Sequence, residues 1–530
     1  MKTIGSVLSI IAIGFGLLGC PSNGGGGGST TAFAVSTTAA DYGVVGNPYT
    51  STLATTGGTA PFTWTLFGGT LPTGLALDAA TGVVSGTPVA PAGNFNATFS
   101  VTDSAGQTAI GSVLFAIHTR TDRVSVDSSG TSGDGVSSTP SINGAGNLVA
   151  FVSLSTNFVT GVSGSQIYVH NRQTNQIEVI SRDSDTTVVN EGGGISNDPA
   201  ISADGRFVAF VSQSSNLVPG VSGQQVYLRD RQTSQTTLVS SNSSGATSNG
   251  LVNIAPDISS DGQFIAFVSN ATNLVTGVNG QQVYLRDRVA GTTSLISKDN
   301  SPSPVPGNND SNTPTVSSDG QFIAFASLST NLGAAGGNRQ IYVHDRLTGA
   351  NGTTSMVSKD SAGTAGNGNS STPAISGDGR FVAFMSLATN LVASVSGQQI
   401  YLHDRNTGVN GTNSLVSHDN NGSPVEGDGA SSVPSISSNG QVITFASLAT
   451  NLLSPAPAVA GQQIYSHDRS TGANGTTSLV SKDNSVTPVA GNFASDRPST
   501  NSDGGFVAFS SQATNLVGGS GSHIYVRAMP

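Results

Sequence analysis

Pro199-Ala200-Ile201-Ser202-Ala203-Asp204-Gly205-Arg206-Phe207-Val208-Ala209-Phe210 reads as two short apolar strands around an Asp-Gly turn. Asp-Gly between apolar runs is a strong hairpin signal, because Gly takes φ > 0 without steric cost. The same phrase returns seven times, led by Pro140, Pro199, Pro256, Pro314, Pro373, Pro434 and Pro498, in steps of 59, 57, 58, 59, 61 and 64 residues. A period of this length marks supersecondary units that bury their apolar faces only by stacking on one another. Within the second copy, Pro199 to Ser202 and Phe207 to Val211 form the first two strands. Gln225 to Leu228 and Thr236 to Ser240 supply a third and a fourth. Four strands repeated radially make the blade of a β-propeller.

The chain ends predict how such a ring closes. The last copy stops at His523-Ile524-Tyr525-Val526-Arg527, a third strand with no fourth behind it. Asp122-Arg123-Val124-Ser125-Val126-Asp127 precedes the first copy and aligns with the fourth strands at Ser294 to Asp299 and Ser478 to Asp483. An N-terminal strand is therefore expected to complete blade seven, which removes an open sheet edge.

Composition agrees with an all-β chain. In 530 residues there is room for two domains of ordinary size. Only 9% of residues are charged, Gly contributes 68, and Ser, Thr and Asn fill the spaces between short Val, Ile and Phe runs. The net charge of −10 offers no basic stripe for phosphates, so nucleic acid is not an expected partner. Glutamates occur only at 178, 191 and 426, so the negative charge is nearly all Asp, a turn residue.

Residues 1–20 start with Lys2 and run on as an apolar stretch too short to span a membrane comfortably, the pattern of a signal peptide. Its end, Leu17-Leu18-Gly19-Cys20, resembles the lipobox of bacterial lipoproteins, in which the Cys becomes the acylated first residue. Cys20 is the single cysteine, which excludes an internal disulfide and a thiolate metal site. Residues 21–30, with Gly24 to Gly28, have the composition of a flexible tether. The resemblance implies a lipid anchor, and the lack of Asp after Cys20 favours an outer membrane, with the chain on its periplasmic or surface face.

Residues 31–118 carry a different text, with the only tryptophan, Trp64, and period-two runs such as Phe62 to Leu66. Leu71-Pro72-Thr73-Gly74-Leu75, Thr81-Gly82-Val83-Val84-Ser85-Gly86-Thr87-Pro88 and Val101-Thr102-Asp103 follow in order, and the region resembles the bacterial Ig-like, cadherin-like β-sandwich modules. Some members of that wider group bind calcium, which makes Asp78 and Asp103 candidate ligands. Each stands beside a turn, where Asp caps backbone groups for local reasons. A spacer role is expected for this module.

The repeat wording over residues 119–530, from about Asp122 onward, resembles the TolB-like, WD-type propeller repeats. It departs from them in its length and in an extra Ser-x-x-Thr-Asn-Leu stretch at Asn157, Asn216, Asn273, Asn331, Asn390, Asn451 and Asn515. The resemblance implies an envelope protein that binds a protein partner. Seven Asn side chains could ring a channel mouth; the alternative is that each ties a loop to its own backbone. His170, His344, His403 and His467 share a slot after the third strand with Arg229 and Arg286, which rules out a common metal or base duty and suggests surface positions. Asp419, Glu426 and Asp428 form the best oxygen-rich loop for calcium, although polar loops are ordinary connectors. Copies that break the phrase, with Thr444 for Ala and Thr500-Asn501 for Ile-Ser, are the candidate partner-binding positions.

No Gly-x-Ser-x-Gly elbow, His-Glu-x-x-His or P-loop occurs. The expectation is a monomeric, lipid-anchored binding scaffold: an Ig-like sandwich followed by a seven-bladed propeller, with an envelope protein or a peptidoglycan-type or other polysaccharide as partner. No cofactor is required. The alternatives are a propeller hydrolase or lyase acting on extracellular polysaccharide or peptide, and a calcium-binding surface adhesin.

Overall fold

The computed structural model describes residues 32–529 apart from 42, 90–91, 185–192, 251–255, 334–336, 455–460 and 486. The expected signal peptide, Cys20 and the Gly-rich stretch after it lie outside the described residues. Strands dominate, and the one helical element among the described residues is a 3-10 turn at Thr330–Leu332. No helix among them is long and apolar enough to cross a membrane.

The N-terminal part is a sandwich. Gly43–Val44, Thr108–His118, Gly93–Thr102 and Thr63–Gly69 form one sheet, and Tyr49–Thr52, Val83–Gly86 and Leu75–Leu77 form the other. Alternate residues of the long strands point inward, so Ala97, Phe99, Val101, Val113 and Phe115 are fully buried around Trp64.

Seven four-stranded sheets follow. In blade two the strands are Ser196–Ile201, Phe207–Ser212, Gln225–Asp230 and Gln235–Leu238, each antiparallel to the next. Gly205 sits at φ +73 in the Asp-Gly turn, and a Cβ there would run into the Leu148 side chain of blade one. Blade seven consists of Ser495–Thr500, Phe506–Ser511 and His523–Ala528, completed by Thr121–Arg123. The closing register sets Thr121 against Arg527, Asp122 against Val526 and Arg123 against Tyr525.

Cores lie between blades as well as within them. One cluster joins Phe207, Ala209 and Leu228 of blade two to Ile265, Phe267 and Tyr284 of blade three. In each blade the second-strand Phe stacks on the third-strand Tyr, as Phe210 does on Tyr227 at 5.8 Å. Burial pushes the Tyr227, Tyr284, Tyr342, Tyr401 and Tyr465 phenols up to about 12. Each fully buried large apolar side chain contributes roughly 1.5–3 kcal/mol, which is why a blade needs its neighbours.

Candidate functional site

The first strands surround a channel of about 190 Å³, lined by residues of all seven blades. Its Asp-Gly end is laced by backbone bonds at six of the seven seams between blades, and the seam between blades six and seven is joined by the Ser438 and Ser502 hydroxyls at 3.4 Å. Gly144 N–H donates to the Ala203 carbonyl, Ala203 to Ser260, Ser260 to Ser318, Ser318 to Gly377 and Gly377 to Ser438, all at 2.8–3.1 Å, and Ser502 returns to Gly144 at 3.3 Å. Only small residues fit, because a Cβ on Gly377 would stand 2.5 Å from Ser318 Oγ and 3.0 Å from Ser438 Cβ. Asp257 lines this channel where the other blades carry Ser, Ala or Thr, accepts the Val316 N–H at 2.7 Å, and has its carboxyl raised by burial. Burial likewise raises Asp198, against which the charge of Arg497 acts.

The shared His/Arg slot is not at the surface. His170, Arg229, His344, His403 and His467 are all buried within the third strands, because the slot faces the neighbouring blade. There it forms a latch. Arg229 Nη1 donates to the Asp183 carbonyl at 2.7 Å and to Thr236 Oγ1 at 3.0 Å, and Thr236 Oγ1 donates to the Arg182 carbonyl at 2.6 Å. Arg286 with Thr293, His344 with Thr354, His467 with Thr477 and Arg527 with Thr121 repeat the pattern. In His403 the partner is Asn413. Burial first, and nearby cationic groups second, push His344 and His467 down to about 4.

The repeated Asn residues are also internal fasteners. Asn331 Oδ1 accepts the Asn308 N–H at 2.9 Å and its Nδ2 donates to the Pro306 carbonyl at 2.9 Å, so it ties the connector entering its own blade. Asn157, Asn273, Asn390, Asn451 and Asn515 do the same. The bond therefore reaches some twenty residues back rather than to the adjoining backbone.

The calcium candidates are spent one by one. Asp78 Oδ1 caps the Ala80 and Thr81 N–H groups, which hold its carboxyl below the usual range. Asp103 accepts from Thr59, Ala105 and Gln107 N–H groups at 2.8–3.0 Å. Asp419 caps Asn421 and Val425, Glu426 holds Ser396 N–H and Oγ at 2.8 Å, and Asp428 holds Thr450 N–H and Oγ1 at 2.6 Å. Among the described residues no three His, Cys, Asp or Glu side chains converge as a metal site would require. The irregular positions are interior too. Thr444 is fully buried, its hydroxyl 2.6 Å from that of Thr500, while Asn501 accepts from Phe506 N–H and donates to the Gly144 carbonyl. Thr500 lines the channel; Thr444 presents no surface to a partner.

A larger cavity than the channel lies elsewhere among the described residues, a groove of about 730 Å³ between blades five and six. Leu402, Leu415 and Val416 give it an apolar wall, Pro424, Val425 and Glu426 a rim, and His418, His467 and Arg469 a polar side. The two imidazoles meet edge to face at 4.8 Å. His418 is the residue that sequence reasoning passed over. It stands where three other blades carry Lys298, Lys359 and Lys482, and that alignment was its only signal.

Residues 30–120 match the family model of the "Putative Ig domain". The Ig-like domain and the propeller together account for the described fold. Among solved structures, the β-propeller domain of the trilobed protease from Pyrococcus furiosus is similar, at 13% identity and a TM-score of 0.44, over 75% of this chain and 94% of that one. The Pyrococcus horikoshii acylaminoacyl peptidase is 13% identical with a TM-score of 0.43, over 74% of this chain and 51% of that one. The Niastella koreensis GH74 enzyme is 12% identical with a TM-score of 0.34, over 85% and 71%. The chain spans about half the length of that peptidase, and these likenesses concern fold alone. A search of curated proteins found no match.

Proposed function

We propose that the chain is an exported, lipid-anchored binding protein of the bacterial envelope whose propeller takes a polymer or protein segment in the groove between blades five and six. The observation that carries this reading is the groove itself: about 730 Å³, half apolar in its walls, with His418 breaking a position that is Lys in three other blades. Mixed concave surfaces of this size are the default sites for ligands. The recurring His, Arg, Asn and Asp residues are by contrast consumed in latches and turn caps, which supports a scaffold more than a catalyst. Leu17-Leu18-Gly19-Cys20 supports the anchor, and two or three acyl chains, at about 0.8 kcal/mol per buried methylene, hold a protein on a bilayer. The TolB-like wording of the repeats supports a partner within the envelope.

The test is capture from solubilised envelope by the detergent-purified full chain, read by mass spectrometry beside a glycan array, with His418→Lys as the matched variant. The expected result is one enriched protein or glycan class whose retention falls at least tenfold in the variant. Equal retention by both would remove the groove from the function.

A further inference from the structure

The closing strand contains a residue that the repeat does not predict. Arg123 pairs with Tyr525, and the same register sets Val179 against Tyr168, Leu238 against Tyr227, Leu295 against Tyr284, Met356 against Tyr342, Leu415 against Tyr401 and Leu479 against Tyr465. Six blades thus pack an apolar side chain on this tyrosine, and blade seven packs a guanidinium. Its carbon lies 5.7 Å from the centre of the Tyr525 ring, and Nη1 donates to Ser132 Oγ. Its Nε and Nη2 are buried without a hydrogen-bond partner, and Arg123 takes part in none of the ion pairs of the described residues.

The nearby carboxylate does not answer this charge. Asp122 is committed to His118 Nδ1 at 3.0 Å, Arg172 Nη2 at 3.2 Å, and the N–H and Oγ1 of Thr119 at 3.1 and 2.6 Å. Arg123 as a residue is half-buried, but its Nε and Nη2 are covered, and buried donors without partners mark places for an ordered water or ion. Arg123 lines a cavity of about 390 Å³ between the closing strand and blade one, shared with His170. His170 is buried and its Nδ1 also lacks a partner. Asn175 Nδ2 donates to the Ser128 carbonyl at 3.2 Å, which leaves Asn175 Oδ1 to accept from His170 Nε2 at 3.1 Å. A neutral imidazole that donates through Nε2 accepts through Nδ1. The cavity therefore combines an unneutralised guanidinium fork with an acceptor for a hydroxyl.

We propose that this seam binds a hydroxy carboxylate, the chemistry of an acidic sugar, with the carboxylate on the Arg123 fork and a hydroxyl donating to His170 Nδ1. Planar bidentate pairing is what arginine offers a carboxylate and lysine does not. The cover over Nη2 is main chain, since a Cβ on Gly519 would stand 2.7 Å from it, and Gly518, Gly519 and Gly521 all hold positive φ. Binding at Nη2 therefore requires this glycine segment to move aside. The site also joins the two ends of the propeller, so its occupant would hold the closure. It is separate from the groove between blades five and six and stands or falls without it.

The experiment is a titration of the full chain with glucuronate, glucose, acetate and polygalacturonate, followed by calorimetry and by the Arg123 Nε–H resonance in ¹H–¹⁵N spectra. Glucuronate is expected to saturate one site per chain and shift that resonance; acetate should bind at least tenfold more weakly and glucose not at all. Polygalacturonate binding much tighter than glucuronate would identify a polymer as the source of the acid, and equal binding per site a free hydroxy acid. Arg123→Gln should weaken glucuronate at least tenfold and Arg123→Lys should recover only part of it, each checked by its melting curve. Because the resonance is read on the unmodified chain, failure of a variant to fold leaves the test intact. Glucuronate that leaves the resonance unmoved at 100 mM, on the order of the weakest affinities worth testing, or glucose that binds as well, overturns the proposal.

Discussion

The seams between blades five and six and between blades seven and one are the same groove built twice. Each sets a fourth-strand residue opposite a buried tyrosine, Leu415 against Tyr401 in one and Arg123 against Tyr525 in the other. Each borrows a buried histidine and an arginine from the next blade, His467 with Arg469 and His170 with Arg172. Arg469 lies 4.2 Å over the Phe381 ring and bonds the Gly440 carbonyl; Arg172 lies 5.0 Å over Phe506, bonds the Gly146 carbonyl, and adds the Asp122 ion pair. What differs is a handful of side chains: Leu415 for Arg123, His418 for Val126, and Ser414 for Asp122. A ring of equal units makes equal grooves, and single departures from the repeat decide what each can hold.

Acid should break both seams at once, and by the most. Burial pushes His170, His344 and His467 down to about 4, well under the ordinary histidine value. The unfolded chain then binds more protons, so the stability these groups contribute is complete above about pH 6.5 and is lost as pH falls toward 4. Each contributes on the order of 3 kcal/mol at the limit. Asp198 and Asp257, raised by burial, act in the opposite sense as they protonate. Denaturant midpoints measured from pH 7 to 4 should fall, and the slope should flatten in His170→Gln with His467→Gln.

Asp122→Ala is expected to cost about 3–5 kcal/mol by stranding buried Arg172, and it should do so at the closure seam, read as loss of hydrogen-exchange protection in Thr121–Arg123 and His523–Ala528. Ser414→Ala, at the matching position of the other seam, should change stability by less than about 0.5 kcal/mol. Leu415→Arg moves the closure-seam residue into the groove between blades five and six; it is expected to cost about 2–4 kcal/mol of unfolding free energy. Arg123→Leu, the reverse exchange, should be neutral or stabilising by about 1 kcal/mol. His418→Lys should also change stability little, within about 1 kcal/mol because other blades accommodate Lys there, while the proposed partner's retention falls.

The recurring phrase was enough to place seven blades, their Asp-Gly turns and the closing strand, since periodicity and turn chemistry are local. Strand ends moved by a few residues, as in Gln225–Asp230 where the reading stopped at Leu228. The third-strand His/Arg slot was misplaced at the surface because polarity in one chain says nothing about which neighbour waits for it. Thr236 and Thr477 face the slot from the same blade, and only the assembled ring supplies the Arg182 and His418 carbonyls behind them. Thr444 and Thr500 read as partner-binding positions because they break the repeated phrase, and in the ring they bond each other between blades six and seven. Arg123 was visible all along, in the alignment of the closing strand with Leu295 and Leu479, but its meaning depends on a cavity that a sequence does not display.

The groove between blades five and six is the proposed seat of the partner. The direct measurement is hydrogen–deuterium exchange of the full chain with and without its captured partner. Protection concentrated in residues 414–426 and 467–475 is the predicted result. Protection centred on the channel or on the Ig-like sandwich, with those two segments unchanged, would contradict it.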